Sequence, residues 1–262
     1  MNKLRNYKIA VIILSLLITL QGVVIFIILR PKRTAIAPKP LEQIKAKIAI
    51  VIDDWGYNLN NLHILDQIKY PMTMSVLPNL TYSKTISEEL RRRGFEVILH
   101  LPTEPFEKYK LEENTILTTM DETTIKNILA FDLDNVPHVK GVSNHMGSKL
   151  TSDIRALGFV FKELKKRDLY FLDSFSSSSS VASKLADEEH IPFARRDVFL
   201  DNKADYYYIK RQLLELKNKA KAYGKAIGIG HNHKLTLEVL RDFIPATEKE
   251  GYRFVFVSDL VK

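Results

Sequence analysis

The sequence predicts an α/β fold, a (β/α) barrel of seven to eight strands preceded by one N-terminal transmembrane helix. Three observations carry that expectation. Ile9 to Leu29 run 21 residues without a charge. From Lys47 onward, β-rich runs alternate with amphipathic helical stretches, and polar residues gather at the ends of those runs. Alternating strands and helices mean a parallel sheet, and seven or eight such units in about 215 residues fit a barrel better than an open doubly wound sheet.

Residues 1–8 form a short basic tail with Lys3, Arg5 and Lys8. Residues 9–29, at about 1.5 Å per residue, are long enough to cross a bilayer core of roughly 30 Å. A cleavable signal peptide is the alternative, but its apolar region normally runs about 7 to 15 residues. The A-x-A pattern at Ala35–Ala37 is followed by Pro38, so an uncleaved anchor is favoured. Arg30, Lys32 and Arg33 match the charges on the other side of the helix, which leaves the positive-inside rule undecided. A short tail ahead of a large C-terminal domain favours a single-pass signal-anchor in the cytoplasmic (inner) membrane, with the domain facing the periplasm or cell exterior. Residues 30–46, with three prolines, read as an extended Pro/basic linker.

Composition narrows the chemistry of the remaining domain, 47–262. There is no Cys, which excludes disulfides and leaves any metal to His, Asp or Glu. Residues 1–47 hold nine of the 39 Lys/Arg and one of the 31 Asp/Glu, Glu42, so the net charge of +8 belongs to the N-terminus. The remainder is neutral and makes no electrostatic claim on nucleic acid.

Strands are expected at 47–53, 72–77, 96–101, 141–145, 169–173, 193–200, 225–230 and 253–258. Among the helices, SKTISEELRRRG places Ile86 and Leu90 on one face and stops at Gly94, and SDIRALGFVFKELKKRD has Ser152 as its cap. In DYYYIKRQLLELKNKAKAYG, Ile209, Leu213, Leu216 and Ala220 recur at helical spacing.

On this layout Asp53 and Asp54, Pro78-Asn79, His100, Asn144-His145, Asp173-Ser174, Asp201-Asn202 and His231 fall at strand C-terminal ends, the edge where parallel α/β folds build their sites. Strand-to-helix loops need polar caps, which accounts for Asn79, Asn202 and Ser174. It accounts poorly for three histidines and a double aspartate. Two His and one carboxylate are a common set for Zn²⁺ or a similar divalent ion, with a second carboxylate as base. Asp53 and Asp54 supply both kinds of carboxylate, although neighbours on a regular strand point to opposite faces. His63, His138 and His190 read as surface or capping residues. Ser176–Ser180 lacks a nucleophile elbow and reads as a polar rim loop.

Together, IVIDDWG, TMSVLPN, RGFEVILHLPTEP, GVSNHMGS, YFLDS, ARRDVFLDN and AIGIGH resemble the divergent polysaccharide deacetylase family over essentially all of 47–262. The resemblance implies a distorted (β/α) barrel and metal-dependent removal of N-acetyl or O-acetyl groups from an envelope or extracellular polysaccharide. It implies Asp53 as general base, Asp54 and His100 as metal ligands, and His231 as the acid that protonates the leaving amine. The second histidine of the usual H-S/T-x-x-H motif is replaced by Glu104, so Glu104 or His145 completes the site, with His145 favoured. Asn232 stands where a Pro usually follows the late His. Arg196 is a candidate to hold Asp53 ionised and Asp173 to orient a histidine; internal salt bridges are the alternative for both. Asn144 adjoins the site, and Trp55 either stacks on a sugar or packs in the core. Two competing readings are a catalytically inactive carbohydrate-binding or scaffold module, and hydrolysis of another ester or phosphoester bond.

Overall fold

The computed structural model describes residues 2–29 and 44–261. Most of the expected linker, with Ala35–Ala37 and Pro38, lies outside the described residues. The N-terminal unit contains helix α1 (Asn2–Leu29), which begins within the expected basic tail. Among the described residues it is the one helix long and apolar enough to cross a membrane. Its Ser and Thr hydroxyls turn inward on their own helix, Ser15 Oγ donating to Val11 O and Thr19 Oγ1 to Leu16 O, both at 2.9 Å. That leaves neither hydroxyl unsatisfied in an apolar surrounding.

The second unit alternates strands and helices as expected: β1 (Ala46–Trp55), α2 (Leu62–Leu65), β2 (Thr73–Val76), α3 (Ser83–Arg92), β3 (Glu96–Thr103), α4 (Glu122–Asn135), β4 (Gly141–Met146), α5 (Ile154–Lys166), β5 (Tyr170–Asp173), α6 (Ala182–Glu189), β6 (Phe193–Arg195), β7 (Val198–Phe199), α7 (Tyr206–Tyr223), β8 (Lys225–His231), α8 (Lys234–Lys249) and β9 (Tyr252–Val255). The expected strand 193–200 is two short strands interrupted at Arg196-Asp197. The spatial order is β6-β5-β4-β3-β2-β1-β8-β7, with β9 beside β1. All pairings are parallel. Interior residues of β1, β3, β5, β6 and β8 form one cluster, so the sheet curls into a barrel, with a seam between β6 and β7, which no ladder joins among the described residues.

Strand β1 is the hub. One edge pairs with β8 from Lys47 to Asp53; the other is shared between β9 at Ala46–Ala49 and β2 from Val51 onward. Alternation then sorts the side chains. Ile48, Ile50 and Ile52 join the layer between sheet and helices, and Ala49 and Val51 line the interior with Ile98, Leu172, Ala194, Ile227 and Ile229. Continuing the rows of Val51, Ile98 and Ile229 by two residues reaches Asp53, His100 and His231. At the opposite end, Glu96 Oε1 accepts from Thr73 Oγ1 (2.8 Å), Tyr170 OH (2.9 Å) and Ser258 N (3.3 Å), which closes the interior with satisfied polar groups.

The helices pack where their periodicity placed them, α7 burying Ile209, Leu213, Leu216 and Ala220. It sits so close to β8 that a Cβ on Gly228 would meet the Leu216 side chain at 2.7 Å. Gly94 follows α3 with φ of 86°, as expected of a helix stop. One cap is corrected: α5 is capped by Asp153, whose carboxylate accepts from Ala156 N at 2.8 Å, while Ser152 Oγ bonds to Ser148 O. Both residues suit a cap, and the carboxylate adds a favourable interaction with the helix dipole.

A buried carboxylate supports the turn after β2. Asn79, left-handed at φ of 61°, donates from Nδ2 to Asp132 Oδ1 at 2.6 Å. Asp132 is fully buried and its Oδ2 has no partner. Burial, against the Asn79 hydrogen bond, pushes its pKa up to about 7. The folded state therefore binds the proton more tightly than the unfolded one, and stability falls as pH rises from about 4 to about 7. Asp132→Asn keeps an acceptor for Asn79 and removes the charge. Denaturant titrations from pH 4.5 to 8 are expected to show the variant gaining on the parent with rising pH, by on the order of 2–4 kcal/mol at the top. A difference that does not change with pH would contradict this account.

Candidate active site

The double aspartate solves its directional problem by breaking the strand. In the β1–β2 ladder Ile52 pairs with Met74 and Trp55 with Val76, so β1 carries one residue more than its partner between these points. The extra length is a bulge, and Asp54 within it is left-handed at φ of 63°. Asp53 keeps the interior direction, in register with His231. Asp54, which regular alternation would send outward, turns to the same opening. Asn232 N secures the break by donating to Asp53 O at 3.0 Å. A Pro at 232 would have no N–H to give, so the departure from the family pattern has a local use.

Three donors converge on this opening. Asp54 Oδ1 lies 3.4 Å from His100 Nε2 and 3.4 Å from His145 Nδ1, and the two ring nitrogens are 3.2 Å apart. Bonds of about 2.1 Å in tetrahedral geometry place neighbouring donors about 3.4 Å apart, so the triangle has the edge lengths that a divalent ion requires. Its chemistry agrees. His100 Nδ1 is 2.8 Å from Ser143 Oγ, itself 2.7 Å from Ser75 Oγ. With the ring proton directed at Ser143, Nε2 presents a lone pair to the cluster. Asp54 Oδ1 is buried without a hydrogen-bond partner, as a ligand oxygen left bare would be.

Two further groups flank the triangle. Asp53 is buried, with Oδ2 3.7 Å from His100 Nε2 and Oδ1 unpartnered. Burial raises its pKa, against the charge of His100 and with the charge of Asp54. On the other side, His231 Nε2 lies 4.0 Å from Asp54 Oδ2, and Nδ1 lies 2.9 Å from Asp201 Oδ1. Asp201 also accepts from His231 N at 2.8 Å and Thr236 Oγ1 at 2.7 Å. Burial alone would lower the His231 pKa, but Asp201 and the charges of Asp54 and Asp53 raise it to about 9. Asp54 is shifted the other way: His100 and His145 overcome its burial and hold its carboxyl well below the usual range. Asp201, His231 and His233 also lie close enough to form a ligand group, but both Asp201 oxygens are already engaged, and the arrangement is that of a positioned histidine.

Asp201 is the site residue that the sequence pattern left without a role, and Asp173 does not take the role expected of it. Phe171 faces the helices, so Asp173, two residues on, faces the same way. It accepts from Ser180 Oγ and Phe175 N, both at 2.7 Å, and closes the serine loop. Asn144 also lies on the outer row: it accepts from Ser174 N at 2.9 Å and donates to Met146 O at 2.8 Å, stapling two loops. Arg196 donates to Ser174 O (2.6 Å) and Phe175 O (2.9 Å), with Asp53 affecting it through space rather than as an ion-pair partner. Trp55 is fully buried in the sheet–helix layer and cannot stack on a sugar.

Glu104 stands apart from the triangle. Its Oε2 accepts from Thr118 N and Oγ1, and its Oε1 from Lys149 Nζ, all at 2.7 Å. Gly147, at φ of 80°, lets the chain after His145 pass against β3, since a Cβ there would collide with Thr103 Oγ1. In the serine run, Ser176 Oγ donates to Met146 O and Ser180 Oγ to Asp173. His63 bonds Asn60 O, and His190 forms the left-handed cap of α6.

The profile of the "Divergent polysaccharide deacetylase" family matches residues 50–261. The uncharacterized protein YibQ of Escherichia coli K12 is 34% identical over 198 residues, 76% of this chain and 62% of the relative, so the chain spans less than two thirds of that protein's length. The crystal structure of the uncharacterized protein ATU2773 from Agrobacterium tumefaciens C58 superposes with a TM-score of 0.78 at 25% identity, covering 82% of this chain and 89% of that one. The catalytic domain of the peptidoglycan N-acetylglucosamine deacetylase from Eubacterium rectale has a TM-score of 0.51 at 14% identity, over 80% of this chain and 87% of that one, a likeness of fold. By a profile that runs from β1 to the last described residue, this chain belongs to the divergent polysaccharide deacetylase family.

Proposed function

We propose that the chain is a membrane-anchored, divalent-metal-dependent hydrolase that removes N-acetyl or O-acetyl groups from an envelope or extracellular polysaccharide, with Zn²⁺ as the ion. The carrying observation is the triangle of Asp54 Oδ1, His100 Nε2 and His145 Nδ1 at 3.2–3.4 Å, flanked by one carboxylate with an unpartnered oxygen, Asp53 Oδ1, and one Asp-backed histidine. Family membership supports a polysaccharide as the substrate.

A divalent ion held by Asp54, His100 and His145 would supply Lewis acidity toward the acyl carbonyl and the attacking water. Asp53 Oδ1, the oxygen that nothing in the fold engages, accepts the proton of that water. His231 Nε2 gives a proton to the departing amine or alcohol from the other side. Asp201 fixes the ring through Nδ1, so that Nε2 alone faces the opening. Helix α1 supports tethering at the cytoplasmic membrane, with the barrel on the side where the polysaccharide lies.

Elemental analysis and zinc titration of the purified chain test the metal site. Asp54→Ala, His100→Ala and His145→Ala are each expected to weaken binding by more than about tenfold, and Glu104→Gln to leave it unchanged. A parent chain that takes up no divalent ion after reconstitution rejects the proposal. Acetate release from N-acetylated glycan fragments tests the reaction. Asp53→Asn is expected to lower kcat by about 10²–10⁴, while His63→Ala leaves it unchanged. Asp201→Asn is expected to lower kcat with KM and metal content retained; equal losses in all three variants would mean the site is misplaced.

A further inference from the structure

The segment between β3 and α4, residues 104–121, contains no helix or named strand. Connections in α/β units usually take about 2–6 residues, and ones beyond about 12–15 are generally functional or disordered. This one is tied down at several points. The Glu104 carboxylate is held by Thr118 and Lys149, and Glu104 N donates to Ile116 O at 3.0 Å. Phe106 N donates to Ser148 Oγ at 2.9 Å. Glu112 Oε1 accepts from Tyr57 OH at 2.5 Å, which fastens the strap across to the loop after β1.

On this fastened strap and the loop it is tied to, the aromatic rings face water. Phe106 is 60% exposed, Tyr109 63% and Tyr57 49%. Phe106, Tyr109 and Leu111, together with Glu104, Glu107 and Lys149, line a groove of about 460 Å³. An ordered segment that leaves rings exposed beside carboxylates and an amine is matched to a ligand with apolar faces and hydroxyl edges. The groove begins where the strand that carries His100 ends: β3 is extended to Thr103, Glu104 lies four residues beyond His100, and Lys149 is held beside it, its N donating to Glu104 O at 3.1 Å. Four extended residues span roughly 13 Å. That distance lies beyond a single sugar held at the triangle and within reach of neighbouring sugars of one polymer.

We infer that the 104–121 strap is a glycan-binding subsite, with Phe106 and Tyr109 stacking on sugar rings of the chain on one side of the sugar being deacetylated and Glu107 and Lys149 bonding its hydroxyls. This rests on the proposed polysaccharide substrate and makes recognition depend on polymer length. The strap selects chains over single sugars.

The test is the affinity of the full-length chain, in detergent, for a hexamer of β-1,4-linked N-acetylglucosamine and for the single sugar. The Asp54→Ala background prevents turnover and leaves the strap intact. Adding Phe106→Ala and Tyr109→Ala is expected to weaken hexamer binding by about tenfold or more. Phe106→Tyr with Tyr109→Phe should restore it, and circular dichroism and thermal unfolding should be unchanged. Hexamer affinity indifferent to the rings overturns the inference. So does absence of hexamer binding, as expected if the strap holds a polypeptide instead. Binding is read without catalysis, so the strap can pass in a chain that releases no acetate. Conversely, acetate release without ring-dependent hexamer binding rejects the strap alone.

Discussion

Neighbouring side chains on a strand diverge, so two adjacent carboxylates can serve one centre only where the backbone turns over between them. In this barrel the turn is Asp54 in the left-handed region, and much of the surrounding structure holds it there. The Asn232 N–H bonds the carbonyl of Asp53, and β8 pairs with β1 up to Asp53 itself. Beyond the bulge, Trp55 is buried in the layer beneath the helices and pins the strand after it changes direction. Left-handed geometry at a non-glycine residue costs of order 1–3 kcal/mol and persists only where its surroundings over-determine it.

The strain is not isolated. Asn79, Met146 and Phe175 are also left-handed, each at or just after the C-terminal end of a strand. Two carboxylate oxygens there, Asp53 Oδ1 and Asp54 Oδ1, are buried without partners. Desolvating them works against folding, and the hub strand offsets this with apolar contacts on both faces and paired edges. A stable barrel thus holds an unsatisfied rim, the condition under which a site can bind an ion or move a proton without first rearranging.

Much of this was legible in the sequence because alternation carries it. Interior residues Val51, Ile98 and Ile229 stand two before Asp53, His100 and His231, so the expected strands already aimed those groups at one opening. The same rule shows why Asp173 and Asn144 serve elsewhere: they lie on the outer rows. Trp55, which alternation would send inward with Asp53, is carried to the helix side by the bulge. Asp201 was harder to find. It follows a two-residue strand whose direction depends on a break at Arg196-Asp197 that the apolar run 193–200 does not announce. The bulge was invisible for a related reason, since a register shift of one residue leaves no mark in hydrophobic pattern when the shifted residues are themselves polar.

On the proposed metal site, the replacement of the second motif histidine by Glu104 follows from where the third donor would come from. A ligand four residues past His100 would have to fold back from the end of β3, yet β3 stays extended through Thr103 and pairs with β4 to its last residue. That pairing sets His145 beside Pro102 and brings its Nδ1 to the triangle from the adjacent strand. Position 104 is then free of the site. A carboxylate there can hold Lys149 and Thr118 and fix the start of the long strap. A histidine at 104 lacks the second acceptor oxygen for that clamp. The altered motif therefore fits a transfer of the third position to β4, with Glu104 recruited to shape the surface beside it.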